Sequence, residues 1–219
     1  MIANGIPSAP ATVAGVAGFS LTASPGSQNV VPGGSTSYTV TATPLNGFTG
    51  TVDLTVSGCP TEATCTLNPT SVNLPPAANS TLNVSTSSST PAGTYTLTIT
   101  GTSGSIKQST TVMLVVSSFT VTATPASQTV KKGAGTTYTA KVTPVNGFNG
   151  TVTFSVSGLP ANATATFSPG TVMGSGSSTM TVSTSKKSPV GTYSLKISGG
   201  SGSFTSSASV TLIVSNNGK

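Results

Sequence analysis

The chain has 219 residues, of which 25 are Gly, 15 are Pro and only 5% are charged. This composition disfavours helix, and no segment places its apolar residues at a 3.6-residue period. The regular alternation described below, together with the low charge, is atypical of a disordered chain. The chain has no His and no Arg, so a Ser-His-Asp triad is excluded and nucleic-acid binding is not expected.

One stretch occurs twice, one hundred residues apart. Residues 44–60 read PLNGFTGTVDLTVSGCP, and residues 144–160 read PVNGFNGTVTFSVSGLP. Each copy has an Asn-Gly turn, a Phe and a run in which apolar residues occupy every second position. Such alternation predicts a strand with one buried face. The similarity extends to both sides, so the sequence predicts two copies of one β-domain.

Residues 1–18 match nothing in the second copy. They are small and uncharged, with no basic start and with Gly and Pro throughout, so they do not have the pattern of a signal peptide. Two interpretations stay open for this segment: a linker or leader, and a strand that is donated to the edge of another sheet. No apolar run in the chain reaches the length of a transmembrane segment.

The first domain is predicted over residues 19–117. Its strands should turn their apolar residues inward, with turns at Pro32-Gly33-Gly34, at Asn46-Gly47 and at a hairpin loop over residues 101–104. The predicted inward residues, in chain order, are Phe19, Leu21, Ala23, Tyr38, Val40, Ala42, Val52, Leu54, Val56, Leu82, Val84, Tyr95, Leu97, Ile99, Val112, Leu114 and Val116.

The second domain is predicted over residues 118–219 on the same plan, with a hairpin loop over residues 199–202. Only Ser117 and Ser118 separate the last strand of one domain from the first strand of the next. So short a connection is not a flexible tether, so we expect the domains to lie end to end. The predicted inward residues are Phe119, Val121, Ala123, Tyr138, Ala140, Val142, Val152, Phe154, Val156, Ala165, Phe167, Met180, Val182, Tyr193, Leu195, Ile197, Val210, Leu212 and Val214.

Two cysteines, Cys59 and Cys65, are the only ones in the chain. The second copy has Leu159 and Ala165 at the same positions, so both cysteines are replaced together between the two copies. We therefore predict a Cys59–Cys65 disulfide, which places the protein in an oxidising compartment. Two thiolates without His or further Cys do not make a metal site.

Short strands at regular spacing, separated by turn residues, predict an all-β fold of two antiparallel sandwiches. Tyr95 follows the sequence PAGT and Tyr193 follows PVGT, each at the start of the penultimate long strand. That is the position of the tyrosine corner of immunoglobulin-type domains, whose hydroxyl bonds back to the preceding loop.

A family resemblance rests on the runs SGCPTEATCTLNPTSV and SGLPANATATFSPGTV and on the later PAGTY and PVGTY. These resemble tandem bacterial immunoglobulin-like domains of secreted and cell-surface proteins. The resemblance covers about residues 19–116 and 119–214. It implies a tandem immunoglobulin-like sandwich in an extracellular or cell-surface location, and it carries over no catalytic residue.

Chemistry-bearing residues are scarce. Asp53 and Glu62 are the only carboxylates, and they are replaced by Thr153 and Asn162 in the second copy. General acid–base catalysis needs a tuned titratable group and usually a partner, and calcium usually needs several carboxylates. We expect no enzyme, no cofactor and no metal.

The net charge of +6 is unevenly distributed, since the first copy carries −1 and the second +7. Lys131 and Lys132 fall in the first turn of the second domain, and Lys186 and Lys187 in the turn before Tyr193. Alternating turns predict both pairs at the tip farthest from the first domain, near Lys219. Two interpretations follow: a solvated face, and weak contact with an anionic surface. Four acceptor sequences for N-glycosylation begin at Asn79, Asn83, Asn149 and Asn162.

The function predicted from these features is a non-catalytic extracellular rod that spaces or presents another part of a secreted or cell-surface protein. One alternative is a filament or adhesin subunit that assembles by donating residues 1–18. A second alternative is a polymer-binding accessory module of a secreted hydrolase. A sugar platform generally needs exposed aromatics, and the chain has no Trp, while all four Tyr occur at matching inward positions. The expected partners are neighbouring domains, identical subunits or an anionic polymer.

Overall fold

A computed structural model describes residues 15–216 of the chain. The regular structure in this range is entirely strand, and no helix there could cross a membrane. Strands β1 to β9 form one sandwich of two sheets, and β10 to β18 form a second. The predicted all-β fold of two tandem sandwiches is therefore confirmed. The proposed donor strand falls mostly on residues 1–14, which lie outside the described residues.

The nine strands of the first domain follow the alternation of the sequence, each burying every second residue where it faces the core. They are β1 (Gly18–Ser24), β2 (Ser27–Val30), β3 (Ser35–Leu45), β4 (Gly50–Ser57), β5 (Ala63–Asn68), β6 (Ser71–Leu74), β7 (Ala78–Thr86), β8 (Gly93–Ser103) and β9 (Ile106–Val116).

The nine strands of the second domain repeat this order with small shifts in length. They are β10 (Ser118–Thr124), β11 (Ser127–Lys131), β12 (Gly135–Val145), β13 (Thr151–Ser157), β14 (Thr164–Ser168), β15 (Thr171–Met173), β16 (Gly176–Ser183), β17 (Gly191–Ser201) and β18 (Phe204–Ser215).

The strand order is that of an immunoglobulin-type sandwich. In the first domain one sheet has the order β1-β3-β7-β5 and the other β2-β9-β8-β4-β6, and the second domain has the matching orders. With β1, β3, β7 and β5 as strands A, B, E and D, and β9, β8 and β4 as G, F and C, these seven strands have the constant-type arrangement. Strands β6 and β15 add an antiparallel edge strand beside β4 and β13. Strands β2 and β11 add a parallel edge beside the last strand of each domain.

Each domain has its own core between its two sheets. The largest fully buried side chains include Tyr38, Phe19 and Leu82 in the first domain and Tyr138, Phe119 and Met180 in the second. Phe19 packs on Phe48 with ring centroids 5.5 Å apart, and the matching pair in the second domain is 4.9 Å apart. Burial of aromatic area of this size supplies much of the stability of a small sandwich.

The two hairpin loops are shorter than predicted. Strand β8 runs to Ser103 and β17 to Ser201, so the turns lie at Gly104-Ser105 and Gly202-Ser203, and Gly101 and Gly199 are strand residues. A Cβ on Gly101 would lie 2.9 Å from Val52 Cγ1, and one on Gly199 would lie 2.7 Å from Val152 Cγ1. These glycines therefore serve close packing inside the sandwich rather than a turn.

Tyr138 gives the second domain a sensitivity to alkaline pH. Its ring is buried and its hydroxyl donates to the Thr211 carbonyl at 2.8 Å. Burial raises the pKa of Tyr138 from 10.0 to about 12. The neutral phenol is favoured in the folded domain, so its stabilising contribution is complete below pH 10 and is lost as the pH rises from 10 to about 12. The hydroxyl is only part-buried, and after a discount for solvent screening we expect a loss of about 1 kcal/mol.

This expectation is checked by urea unfolding of the second domain across that alkaline range, with Tyr138→Phe as the comparison. The Phe variant keeps every lysine and the other three tyrosines, so it shows the alkaline loss that arises without Tyr138. Equal pH slopes for the parent chain and Tyr138→Phe would contradict the expectation.

Candidate functional site

The predicted disulfide is present between Cys59 and Cys65, whose Cα atoms are 6.0 Å apart. It closes the connection from β4 to β5, where Glu62 has a positive φ of 60°. Cys65 packs against the first core, and Leu159 and Ala165 pack against the second core at the matching positions. The second domain thus has two apolar side chains packed against its core where the first domain has the disulfide.

Tyr95 and Tyr193 bond back to the loops that precede their strands. The Tyr95 hydroxyl donates to the Pro91 carbonyl at 2.9 Å, and the Tyr193 hydroxyl donates to the Pro189 carbonyl at 3.1 Å. Each bond spans four residues and fixes the loop against the start of its own strand. This is the hydrogen bond that defines a tyrosine corner, and its place in both domains is structural.

The two domains meet in a joint built from the turn after β2 and the Gly202-Ser203 hairpin. The Ser203 hydroxyl donates to the Pro32 carbonyl at 3.1 Å, across 171 positions of sequence. Val31 packs against the second domain's core cluster, and Pro32 is buried. Alternating turns predict that residues 146–150 and the loop over residues 199–202 face the first domain, but neither Val31 nor Ser203 belongs to the alternating strand pattern that would single out this contact.

The connecting residues are held as firmly as the flanking strands. Asn146 Nδ2 donates to the Val116 carbonyl at 2.9 Å, and Ser117 is only 8% exposed. A cleft of about 160 Å³ lies beside them, lined by Ser117, Phe148, Ser201 and other residues from both domains. The joint thus combines an apolar contact, two hydrogen bonds and a buried connection.

The lysine-bearing turns of the second domain lie together at the end opposite the joint. A Cβ on Gly133 would lie 3.3 Å from Lys186 Cγ, and the Lys132 amide donates to the Ser215 carbonyl at 3.0 Å. Lys131, Lys186 and Lys187 are exposed and Lys132 is half-buried. We call these four lysines the cationic tip; Lys219 lies outside the described residues.

The carboxylates do not meet. Asp53 lies exposed on β4, and Glu62 lies exposed in the disulfide loop. Within residues 15–216 no group of three or more His, Cys, Asp or Glu side chains is placed to hold a metal ion.

The aromatic side chains of the described range point into the two cores or lie half-buried at their edges. Phe154 and Phe167 stack with centroids 5.4 Å apart, and Phe204 packs edge-on against Phe119 at 5.3 Å. The large apolar residues that are exposed there are Val16, Leu45, Met113, Val145, Met173 and Val190. No aromatic side chain is among these exposed residues.

The four glycosylation acceptor positions are exposed, but their surroundings differ. Asn79 Oδ1 accepts a hydrogen bond from Thr41, and Asn149 lines the cleft of the joint. Asn83 faces a shallow polar depression on the outer surface of β3, β5 and β7. Asn162 has a positive φ of 59° at the position of Glu62. All four remain candidate modification positions.

Comparisons with known proteins returned no matching family model and no matching curated protein. Solved structures with a similar arrangement include a titin I67–I69 fragment, at 15% identity and a TM-score of 0.41 over 90% of this chain. The chain covers 65% of that fragment, which is less than two thirds of its length.

Domains 4 and 5 of the S-layer protein SbsC match at 20% identity and a TM-score of 0.36, covering 59% of this chain and 68% of theirs. The D0–D1 region of intimin matches at 21% identity and a TM-score of 0.31, over 90% of this chain and 100% of that one. Similarity at this level carries no functional argument, so the immunoglobulin-type fold rests on the strand order.

Proposed function

We propose that this chain is a non-catalytic extracellular structural module, a stiff two-domain rod that spaces or presents a neighbouring part of a secreted or cell-surface protein. The observation that carries the proposal is the joint, in which Ser203 holds the Pro32 carbonyl at 3.1 Å over a buried connection. The Cys59–Cys65 disulfide supports the extracellular location, because disulfides persist in oxidising compartments.

A stiff joint follows from the energetics of its parts. Interfaces between domains of one chain are usually small and polar, and relative motion is their default behaviour. Here the connection has almost no slack, and Val31 and Pro32 give the contact an apolar centre. Bending the joint would expose that centre and break the Ser203 and Asn146 hydrogen bonds together.

The proposal is tested by inserting Gly-Ser-Gly-Ser between Ser117 and Ser118. Residual dipolar couplings of the parent chain should fit one alignment tensor for both domains, whereas the inserted chain should need two. A matched control places the same insertion between Gly104 and Ser105, at the hairpin of the first domain away from the joint, and should leave one tensor. Independent alignment of the two domains in the parent chain would reject the rod.

A second candidate function is favoured by the cationic tip, which gathers four lysines from two turns at one end. Exposed like charges at this spacing repel one another, and an acidic neighbouring domain or an anionic cell-surface polymer would offset that repulsion. We propose weak, salt-sensitive attachment of this tip to such a surface.

Changing Lys131, Lys132, Lys186 and Lys187 to Gln should abolish retention of the protein on a poly-glutamate resin at low salt, with little change in melting temperature. In the parent chain, retention should fall steeply near 0.1 M salt, where the screening length is about 10 Å. A control that changes Lys107, Lys141 and Lys196, which are exposed away from the tip, should keep most of the retention. Equal loss of retention in both variants would show that net charge, rather than the tip, is responsible.

A further inference from the structure

We infer that the N-terminal face of the first domain is a docking surface for the tip of another domain of this kind, one whose tip is uncharged. The face consists of Asn46, Gly47 and Phe48 of one turn and Gly104 and Ser105 of the neighbouring hairpin. The inference rests on the proposed function in one respect, since the internal joint is the pattern from which it is drawn.

The internal joint shows what such a face accepts. On the second domain, the hairpin residues Gly202 and Ser203 receive the Val31-Pro32-Gly33 turn of the first domain. Val31 Cγ2 lies 3.7 Å from the position that a Cβ on Gly202 would take, and a Cβ on Gly33 would lie 3.2 Å from Ser203 Cβ. A Cβ on Gly33 would be tight against Ser203, one on Gly202 would make ordinary van der Waals contact with Val31, and the turn between them is uncharged.

The first domain carries the same receiving elements in the same conformation. Asn46 has a φ of 51° where Asn146 has 52°, and Gly104 has 57° where Gly202 has 56°. The hairpin sequence Ser-Gly-Ser at residues 103–105 is repeated at 201–203. The turn and the hairpin of the two faces therefore match in backbone conformation at these left-handed positions.

The chain also enters both domains along the same path. Asn46 Nδ2 donates to the Val16 carbonyl at 2.9 Å, as Asn146 Nδ2 donates to the Val116 carbonyl at 2.9 Å. In the joint this bond fixes the last strand of one domain to the receiving turn of the next. Its repetition at Val16 places the incoming backbone where the last strand of a preceding domain would deliver it.

The two faces differ in what lies on them. A Cβ on Gly202 would touch Val31, whereas one on Gly104 would have no atom of the described residues within 4 Å. Among the described residues, the hairpin of the first domain thus lacks the partner that its counterpart has. Continuity with the internal joint identifies the kind of partner that fits, namely a turn with a small apolar residue followed by Pro-Gly or a similar pair.

The cationic tip of a second copy does not fit this face. Lys131 occupies the position of Val31, which packs against the core cluster of the second domain, and Lys132 occupies the position of Pro32, which is buried. Placing Lys132 there would desolvate an ammonium group without a carboxylate to receive it, which is strongly unfavourable. Lys107 lies two positions beyond Ser105 and adds a like charge. The occupant is therefore a domain with an uncharged tip.

The test is a three-domain chain in which a copy of residues 15–117 replaces residues 1–17, so that Ser117 of the added copy precedes Gly18. With Lys107→Arg in the added copy to give its peptides a different mass, peptides covering residues 102–107 of the original first domain should exchange amide hydrogens about tenfold more slowly than in the original chain, as a docked hairpin requires. A matched control carries Val31→Lys and Pro32→Lys in the added copy only, which reproduces the Lys131-Lys132 turn of the cationic tip. It should show no slowing.

Unchanged exchange at 102–107 in the three-domain chain, with residues 200–205 still protected, would overturn the inference and leave the rod intact. Free exchange at both hairpins would reject the rod as well. In the original chain, protection at 102–107 that disappears when residues 1–14 are deleted would make that segment the occupant and overturn the inference. Protection there that rises with protein concentration would make a second copy the occupant, with the same consequence.

Discussion

Replacing Gly158 by Ala is expected to destabilise the second domain by roughly 3 kcal/mol or more, which is a large part of the stability of a small domain. Gly158 has a φ of +87°, and a Cβ there would lie 2.2 Å from the Ser194 carbonyl oxygen and 3.6 Å from Leu195 Cα. These neighbours are backbone atoms of β17, the strand paired with both β13 and β18. The contact cannot be relieved by rotating a side chain, so the sheet itself must shift.

Gly147 supplies the matched control, since its φ is +72° and a Cβ there would have no neighbour within 4 Å. Gly147→Ala therefore carries only the backbone cost of placing a side chain at positive φ, about 1–2 kcal/mol. Gly58→Ala should repeat the large effect in the first domain, where the Cβ would lie 2.2 Å from the Thr96 carbonyl oxygen. Urea unfolding followed domain by domain with hydrogen exchange measures all three; equal losses for Gly158→Ala and Gly147→Ala would contradict the steric account.

The fold was largely predictable because the alternation of apolar residues occurs in both copies of the repeat. Alternation identified the inward residues, and comparison of the copies showed that Tyr38 and Tyr138, like Phe19 and Phe119, hold the same positions. In the structure these four side chains are each 1% exposed. A residue that faces the core does so through local strand geometry, which period-two alternation records directly.

Strands β2 and β11 were not predictable in the same way. The segment Ser-Gln-Asn-Val of β2 buries only Val30, so it has no alternation to recognise, and its partner β9 lies more than eighty residues away in parallel register. The turn and the loop of the second domain that face the first were predictable from alternating turns, but the atomic contacts of the joint were not. Its central atoms, the Ser203 hydroxyl and the Pro32 carbonyl, are ordinary turn groups whose pairing depends on how two complete domains meet.

The cationic tip was predictable as a charge asymmetry. The effect of its lysines on docking depends on the positions that they occupy. Lys131 and Lys132 replace the Val31 and Pro32 that form the joint, although the surrounding scaffold is the same. Thr86 Oγ1 donates to the Gly34 carbonyl at 2.8 Å, and Thr184 Oγ1 donates to the Ala134 carbonyl at 2.6 Å. One scaffold thus presents a docking turn on the first domain and a charged turn on the second.

The loop between Cys59 and Cys65 in the first domain is closed by a disulfide, whereas the matching loop of the second domain has no disulfide. Glu62 adopts a φ of 60° inside the disulfide loop of the first domain, and Asn162 adopts 59° in the loop of the second. Asn tolerates the left-handed region better than Glu does, because its short amide side chain can hydrogen-bond locally. We therefore expect the disulfide to offset a less favourable backbone at Glu62.

Reducing the Cys59–Cys65 bond, or changing both residues to Ala, should lower the free energy of unfolding of the first domain by about 2 kcal/mol, the chain-entropy contribution of so short a loop. The second domain, which has Leu159 and Ala165 there, should be unaffected in the same sample and serves as the internal control. In the reduced chain, Glu62→Asn should restore about 0.5–1 kcal/mol by relieving the positive-φ cost. Urea unfolding with and without reductant, read separately for each domain, measures these changes. Equal loss in both domains, or no recovery with Glu62→Asn, would show that the bond and the backbone at Glu62 are not coupled in this way.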